Sequence, residues 1–218
     1  GTLQLGNGVT DGSVTGNITD NGTLAFATAS AQTYSGTISG SGSVTKTGAG
    51  VLTLSGSNTY SGGTYLQDGT LWVSNSSALG SGMVHLGYGE NLPVLKGSAS
   101  VALANAIDVV TGTTTQIVSL GASQPTAFAL NGDLRGGGTI ESSGNYLALG
   151  GFNDYDPNYP SDPYFSGTCL VTSGYMCLTR QEAGSRAAAW VLDNNTTRMT
   201  AWFSGSGTIH LGSLSGGS

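Results

Sequence analysis

The sequence has little charge. Asp, Glu, Lys and Arg make up only 8% of its 218 residues, with six basic side chains against twelve acidic ones and a net charge of −6. The basic residues are scattered singly, so the chain lacks the positive field that would hold a phosphate backbone, and we expect no nucleic-acid partner. Disorder is excluded as well, because disordered chains combine low hydrophobicity with high net charge, whereas 38% of these residues are hydrophobic.

Proline and long apolar runs are also scarce. The chain has only five prolines and no three-residue glycine period, which excludes a collagen helix. Its longest uncharged apolar stretches, such as residues 101–107, fall well short of the ~20 residues that a membrane-spanning helix needs. We therefore expect no transmembrane segment in this chain.

Glycine, by contrast, is abundant, at 37 of 218 residues, or about 17% against roughly 7% in ordinary proteins. A glycine inside a helix costs about 1 kcal/mol relative to alanine, so a helical fold is disfavoured. Short runs of alternating polar and apolar residues lie between the glycines, for example residues 51–54, 70–73 and 83–86. This alternation predicts an all-β protein with strands of about four to six residues.

An internal repeat indicates how these strands are arranged. Glycine-containing units recur from Gly22 to Gly42 and from Gly50 to Gly69, a spacing of roughly 20 residues that suits one coil of a β-solenoid. Short strands do not form stable isolated hairpins, but stacked coils bury their inward side chains against the coils above and below. The residues expected to face inward are Leu3, Leu5, Leu24, Phe26, Ile38, Val44, Leu52, Leu54, Leu71, Val73, Val84, Leu86, Ile140 and Ile209.

One stretch, residues 40–73, resembles a known family. Residues 46–54 follow a Lys-Thr-Gly-x-Gly-x-Leu-x-Leu pattern, residues 58–64 follow Asn-x-Tyr-x-Gly-Gly-Thr, and residues 69–71 follow Gly-x-Leu. This succession is similar to the autotransporter passenger-associated β-strand repeat. The resemblance implies a right-handed parallel β-helix in a secreted, surface-displayed bacterial protein.

The composition divides the chain into three parts. Residues 1–150 are expected to form solenoid coils, and residues 204–218 to return to the solenoid. Between them, residues 151–203 hold three of the five prolines, at three-residue spacing, which is incompatible with a ladder strand. We therefore expect an irregular proline- and tyrosine-rich insertion that leaves the stack.

Two cysteines lie within that insertion. Cys169 and Cys177 are flanked by alternating runs, and Ser173-Gly174 between them suggests a tight turn. Across such a hairpin the cysteines would face each other, and a secreted chain would join them in a disulfide. The alternative is a pair of buried thiols. Zinc is not expected, because only two histidines are available and neither is near in sequence.

Acidic residues in the insertion raise the question of calcium. Asp154, Asp156, Asn158 and Asp162 offer oxygen ligands at spacings that resemble a calcium loop. The bidentate Glu of an EF-hand is missing and prolines intervene, so a solvated acidic turn is the other interpretation. No other cofactor is indicated.

Aromatic residues accompany these acids: Tyr155, Tyr159, Tyr164 and Phe165. Aromatic side chains beside polar loops stack on sugars or make protein contacts. They would serve equally well as a small core of the insertion.

The sequence contains no nucleophile elbow and no recurring pair of carboxylates. We therefore expect a non-enzymatic, extracellular or cell-surface β-solenoid with a structural or adhesive role, whose partners are glycans or cell surfaces. Two alternatives remain open. One is a polysaccharide-degrading enzyme that uses Asp154 and Asp156, and the other is a carbohydrate-binding module that uses the tyrosines of the insertion.

The ends of the sequence suggest self-assembly. The chain opens on Gly1–Leu5, a strand pattern with no initiator methionine or signal peptide, as expected of a segment from a longer protein. Both ends look like uncapped coils, and bare strand edges recruit other chains. We expect copies to stack head to tail into a filament, through Leu3 and Leu5 at one end and Ile209 and Leu211 at the other.

Overall fold

The computed structural model describes residues 1–89, 91–120, 127–150, 165–178, 184–192, 198–201 and 210–216. Within these ranges every regular element is a β-strand, and every strand pairing is parallel. The described part contains no helix long and apolar enough to cross a membrane. The strands of the first half are β1 (Thr2–Leu5), β2 (Ile18–Thr19), β3 (Thr23–Ala27), β4 (Gln32–Tyr34), β5 (Ile38–Ser39), β6 (Ser43–Thr47), β7 (Val51–Leu54), β8 (Thr64–Leu66), β9 (Thr70–Val73), β10 (Val84–Leu86), β11 (Val94–Gly97) and β12 (Ala102–Leu103). Those of the second half are β13 (Ile107–Val109), β14 (Thr114–Ser119), β15 (Phe128–Leu130), β16 (Leu134–Gly136), β17 (Thr139–Gly144), β18 (Tyr146–Leu149), β19 (Thr168–Val171), β20 (Tyr175–Leu178), β21 (Gly184–Leu192), β22 (Arg198–Ala201) and β23 (His210–Gly216).

The strands form the sides of a parallel β-solenoid, as the periodicity predicts. Sheet 1 has the order β1-β3-β6-β8-β10-β13-β16, and sheet 2 has the order β4-β7-β9-β11-β14-β17-β19-β21-β23. The third side begins with the short β2-β5 pair and continues further along as sheet 3, β12-β15-β18-β20-β22. Neighbours in each sheet come from successive coils, so the stack follows the order of the sequence.

The coils lengthen along the chain. Thr23 pairs with Ser43, whereas Ile107 pairs with Leu134 and Thr139 with Thr168, so more residues separate paired positions in the later coils. Over the same part of the stack the strands of the third side also lengthen, from the two-residue β2 to the four-residue β18 and β20. This lengthening explains why the regular repeat fades from the sequence after β10.

The interior is a set of side-chain rows that run along the stack. In sheet 1, for example, Leu24, Val44 and Val84 lie in one inward row, and each is buried. The predicted core is confirmed at twelve positions, which are Leu5, Leu24, Phe26, Ile38, Val44, Leu52, Leu54, Leu71, Val73, Val84, Leu86 and Ile140. The prediction is wrong for Leu3, which is 51% exposed because β1 is the end strand of sheet 1 and is covered from one side only. Ile209 lies outside the described residues.

The predicted insertion needs a correction over part of its length. Strands β19 to β22 fall within residues 151–203, yet they continue sheets 2 and 3 in register, with Thr168 opposite Thr139 and Tyr175 opposite Tyr146. The shift in composition therefore does not mark a departure from the stack over these strands. The proline-containing residues 151–164 lie outside the described residues, so an insertion there stays a prediction.

A charged side chain occupies one inward position. Lys46 lies in register between Phe26 and Leu66 and is fully buried. Its Nζ donates to the backbone oxygens of Thr47, Gly48 and Asp68 at 2.9, 2.6 and 3.0 Å. The ammonium thus joins two successive coils at the corner where each leaves sheet 1, and it gives these carbonyls a charged donor.

An asparagine replaces a strand on the third side. Within the described residues, that side has no strand between β5 and β12. The buried Asn58 side chain accepts from the backbone N of Ile38 at 2.8 Å and donates to the backbone O of Ala78 at 2.6 Å. Its amide group therefore pairs like a peptide group with the coil on either side. Next to it, the buried Tyr60 hydroxyl and Thr64 Oγ1 lie 2.5 Å apart.

Replacing an inward leucine with an acid should destabilise the coil. We expect Leu52→Asp or Leu71→Asp to lower the free energy of unfolding by at least about 3 kcal/mol, because the cavity is combined with an unpaired buried charge. Chemical denaturation measures the change. Thr53→Asp, on the outer face of the same strand, is the matched control and should cost less than about 1 kcal/mol. Equal unfolding midpoints for Leu52→Asp and the control would contradict the coil arrangement.

The buried ammonium should make stability depend on pH. Burial lowers the pKa of Lys46 to about 8, against an opposing attraction from Asp68, whereas an unfolded lysine titrates near 10.4. Between these values the unfolded chain binds more protons, so the free energy of unfolding should rise as the pH increases from about 8 to 10. The Lys46→Met variant should be less stable by about 2–4 kcal/mol, because three carbonyls lose their donor. Its free energy of unfolding should also lack the rise with pH that Lys46 causes. Denaturation midpoints from pH 7 to 10 test both points, and an unchanged slope in the variant would contradict the assignment to Lys46.

Candidate functional site

The outer face of sheet 1 carries a row of side chains that changes character along the stack. In register, its members are Gln4, Ala25, Thr45, Tyr65, His85, Asp108 and Arg135. The first three are aliphatic or uncharged polar residues. The row then becomes aromatic at Tyr65 and His85, and charged at Asp108 and Arg135.

Four of the residues on this face make contact and form what we call the tyrosine–histidine cluster: Tyr65, His85, Tyr88 and Asp108. The rings of Tyr65 and His85 are stacked, with centroids 4.5 Å apart and planes at 10°. Tyr88 meets both rings edge-on, with its centroid 5.8 Å from that of Tyr65 and 5.4 Å from that of His85. The cluster therefore has side chains from three successive coils, which the backbone ladders hold at fixed spacing.

Asp108 anchors one end of the cluster. Its Oδ2 accepts from the Tyr88 hydroxyl at 3.3 Å and lies 3.4 Å from Nδ1 of His85. Partial burial, together with the Asp108 carboxylate, raises the pKa of Tyr88, so its hydroxyl stays protonated and available to donate. Tyr88 nevertheless remains 48% exposed, so a ligand can reach it from solvent.

The local sequence places Tyr88 where it can join the rings. Strand β10 ends at Leu86, and Gly87 follows with a φ of +88°. A Cβ at this position would collide with Oγ1 of Thr113, so both the backbone conformation and the space require glycine. The turn at Gly87 carries Tyr88 back over the outer face of the sheet.

Two smaller aromatic groups lie on the other sides. On sheet 2, Nε1 of Trp72 donates to Ser98 Oγ at 2.9 Å, and Nζ of Lys96 lies 4.4 Å from the centroid of the indole ring. On sheet 3, Tyr146 and Tyr175 stack with centroids 4.6 Å apart. Each of these groups joins two coils, whereas the tyrosine–histidine cluster joins three.

The expected disulfide is not present, although both cysteines lie in the described part of the chain. Cys169 is on sheet 2 opposite Ile140, whereas Cys177 is on sheet 3 opposite Ala148. The hairpin interpretation was wrong because Ser173-Gly174 forms a corner between two parallel sheets instead of reversing the chain. Gly174 has a φ of +74° and stacks so closely on the preceding coil that a Cβ would collide with backbone. Both thiols are buried, and burial raises the pKa of each, which keeps them protonated.

The other predicted site residues are only partly within the described chain. Phe165 is fully buried against the core, which agrees with a packing role and not with a contact surface. The remaining aromatic and calcium candidates lie outside the described residues: Tyr155, Tyr159, Tyr164, Asp154, Asp156, Asn158 and Asp162. Among the residues that the structure describes, no group of three or more His, Cys, Asp or Glu side chains could hold a metal ion. Two further residues were predicted to make end-to-end contacts between copies. Of these, Leu5 is buried, and the backbone of Leu211 continues sheet 2 in β23.

The sequence reasoning missed the tyrosine–histidine cluster. A usable signal was present, because Tyr65, His85 and Asp108 each occupy the middle position of a three-residue strand and follow one another at a spacing of one coil. In a solenoid, such positions point outward and stack on one another. The same alternation that marks the inward positions also marks the complementary outward positions, which carry the signal for the cluster when they are aligned from coil to coil.

Two comparisons with known proteins found a match to part of the chain. Residues 44–73 match the model of the passenger-associated-transport-repeat. The chain is also similar to the adhesin BmaC autotransporter of Brucella suis biovar 1 (strain 1330), with 60% identity over 42 residues, or 19% of this chain. The match spans about 1% of the length of that relative. No solved structure matches the chain significantly.

The matched repeat contains the side chains that hold its coil together. Lys46 joins two corners, Asn58 replaces a strand, and Tyr60 pairs with Thr64 in the interior. Three elements of the matched segment are thus explained by contacts inside the stack. Residues 44–73 are a passenger-associated-transport repeat, which here contributes strands β6 to β9 to two successive coils of a parallel β-solenoid.

Proposed function

We propose that the chain is part of a bacterial autotransporter passenger, displayed outside the cell, and that it acts by adhesion. Two findings support this: the passenger-associated-transport repeat at residues 44–73, and the similarity to a relative that is named an adhesin. The solenoid is the structural element, and binding takes place on its outer faces. Its action is binding and not catalysis.

The observation that carries the proposal is the tyrosine–histidine cluster. Aromatic rings supply a large contact area at a low cost in conformational entropy, which is why they concentrate the binding energy of many interfaces. Here the stacking of Tyr65 on His85, and the hydrogen bond from Tyr88 to Asp108, fix the rings before a ligand arrives. A preorganised aromatic group on a rigid sheet is suited to adhesion, because little ordering is needed on binding.

The low charge of the chain also suits an extracellular location. The sequence is rich in Thr, Ser, Asn and Gly, and only 8% of its residues are charged. A surface of this kind is hydrated mainly through hydroxyl and amide groups and depends little on ion pairs, so the salt concentration has little effect on it. The same low charge makes a ligand recognised by strong electrostatic attraction an unsuitable partner.

Adhesion should depend on the cluster. Beads coated with the full 218-residue chain should attach to host-cell monolayers. Tyr88→Ala together with His85→Ala should reduce the attached number at least about tenfold, since such anchor residues are each worth about 1 kcal/mol or more. Tyr175→Ala removes a stacked aromatic from sheet 3 and is the matched control, which should attach normally. Attachment that is unaffected by the cluster variants would contradict the proposed site. If beads coated with the wild-type chain attach no more than uncoated beads, the proposed function is contradicted.

A finer proposal concerns self-association of the 218-residue chain as it stands. Strand β1 is the end strand of sheet 1, and Leu3 on it is 51% exposed, beside the open edge of the ladder. Open edges of this kind pair with other strands. End-to-end pairing of copies is a heterologous contact that does not close, and it would produce filaments.

Sedimentation velocity tests this association. The chain should form species larger than a monomer at high concentration, and Leu3→Lys should abolish them by placing a charge on the edge. Leu92→Lys is the matched control, because Leu92 is 50% exposed and lies outside the strands. A stable wild-type monomer at all concentrations would overturn the filament proposal.

A further inference from the structure

One face of the Tyr65 ring has no aromatic neighbour among the described residues. The Tyr65 and His85 rings are parallel to within 10° and stack along the row of outward positions, so the other face of Tyr65 points back toward the preceding coil. The outward residue of that coil is the half-buried Thr45, and next along the row is the small, buried Ala25. Both side chains are too short to cover a phenol ring. Of the ring contacts that involve Tyr65 in the described chain, one is with His85 and the other is the edge contact with Tyr88.

The sheet beside this free face is a floor of hydroxyl groups. Strand β6 has inward positions at Val44 and Lys46, so its outer face presents Ser43, Thr45 and Thr47. Adjacent strands lie about 4.8 Å apart, so Thr45 is one step from Tyr65 along the row. A ring that stacks on Tyr65 would therefore rest above Thr45. The arrangement is a step, with an aromatic wall and a hydroxyl floor, and we call it the Tyr65 ledge.

The ledge carries no charge. The outward residues of strand β6, which forms its floor, and of strand β3 behind it are Thr23, Ala25, Ala27, Ser43, Thr45 and Thr47. Within the same row, the nearest charged residue, Asp108, lies beyond His85 on the opposite side of the aromatic pair. A ligand that stacks on the free face of Tyr65 meets a π-surface and hydroxyl groups, but neither an ammonium nor a carboxylate of this row.

We propose that the Tyr65 ledge is a subsite for one ring of a neutral carbohydrate. A pyranose has one face of C–H groups, which the negative face of an aromatic ring attracts, and a rim of hydroxyls that exchange hydrogen bonds with Ser and Thr. Both properties match the ledge. A sialylated or sulfated sugar would gain no charged partner there, and a phosphate would gain none either.

Tyr65 and Thr45 also lie just outside the motif elements whose side chains make interior contacts. The Lys-Thr-Gly, Asn-x-Tyr and Gly-Gly-Thr elements account for interior contacts, whereas Tyr65 follows the last of these and Thr45 precedes the first. Outward positions can therefore differ between repeats without disturbing the coil. This inference rests on the proposed adhesive function, and it names the ligand class of the same face.

A glycan-binding experiment on the full chain tests the ledge. The probes are immobilised neutral oligosaccharides that end in glucose, galactose, mannose or N-acetylglucosamine, together with sialylated and sulfated forms of the same cores. We expect binding to at least one neutral probe, with affinity reduced about tenfold or more by Tyr65→Ala and retained by Tyr65→Phe, which keeps the ring. Thr45→Arg should block the floor and cause a similar loss without touching the aromatic wall. Tyr146→Ala, in the stacked pair of sheet 3, is the control.

The outcomes separate the ledge from the adhesive function. Neutral-glycan binding that Tyr65→Ala and Thr45→Arg both leave intact would overturn the subsite, and so would binding restricted to the sialylated or sulfated probes. Cell attachment that persists while no glycan binds would overturn the carbohydrate class, would leave adhesion standing and would point to a protein ligand. Should Tyr65→Ala fail to fold, as judged by thermal melting, Thr45→Arg alone decides whether the floor is part of the site.

Discussion

The structure depends on the register of the parallel ladders. Because the strands of sheet 1 pair with their counterparts in the next coil without an offset, a side chain lies directly above and below residues of the same orientation, so inward positions form continuous rows. Burial in these rows is what stabilises coils that could not be stable alone. The same register governs the outside of the molecule, where it brings Tyr65 and His85 into contact although they are a full coil apart in sequence. A single geometric rule thus produces both the core and the tyrosine–histidine cluster.

The same register determines which features of the structure can be predicted from the sequence. The alternation of residues and the repeat spacing are sufficient to predict parallel coils and twelve buried core positions, because burial is repeated in every coil. The motif includes Lys46 but does not reveal that it is buried, since a lysine in an apolar row has no signature in hydrophobic patterning. Its three carbonyl partners depend on how two corners stack. Such contacts between coils cannot be derived from one strand considered alone.

The wrong predictions of a hairpin and of an insertion have physical reasons. The hairpin expected between Cys169 and Cys177 rested on a turn signal, and a glycine with positive φ serves a solenoid corner as well as a chain reversal. Similarly, the change of composition after residue 150 suggested departure from the stack, although β19 and β20 continue it. Longer coils tolerate a wider range of residues, because only the strand segments must keep the ladder. The tyrosine–histidine cluster has no signature in any single strand, because its members come from three coils and meet only through the register of the ladders.

The lengthening of the strands on the third side has a mechanical consequence. From β12 onward these strands grow from two residues to three and four, so more ladder hydrogen bonds join neighbouring coils on that side. A load that pulls coils apart must break the bonds of a ladder together, so coils joined by a longer ladder resist it more strongly. The tyrosine–histidine cluster spans β8 to β13, and within the described residues the third side has no strand between β5 and β12. Its stacked rings therefore add a link between coils that the third side joins with few ladder bonds.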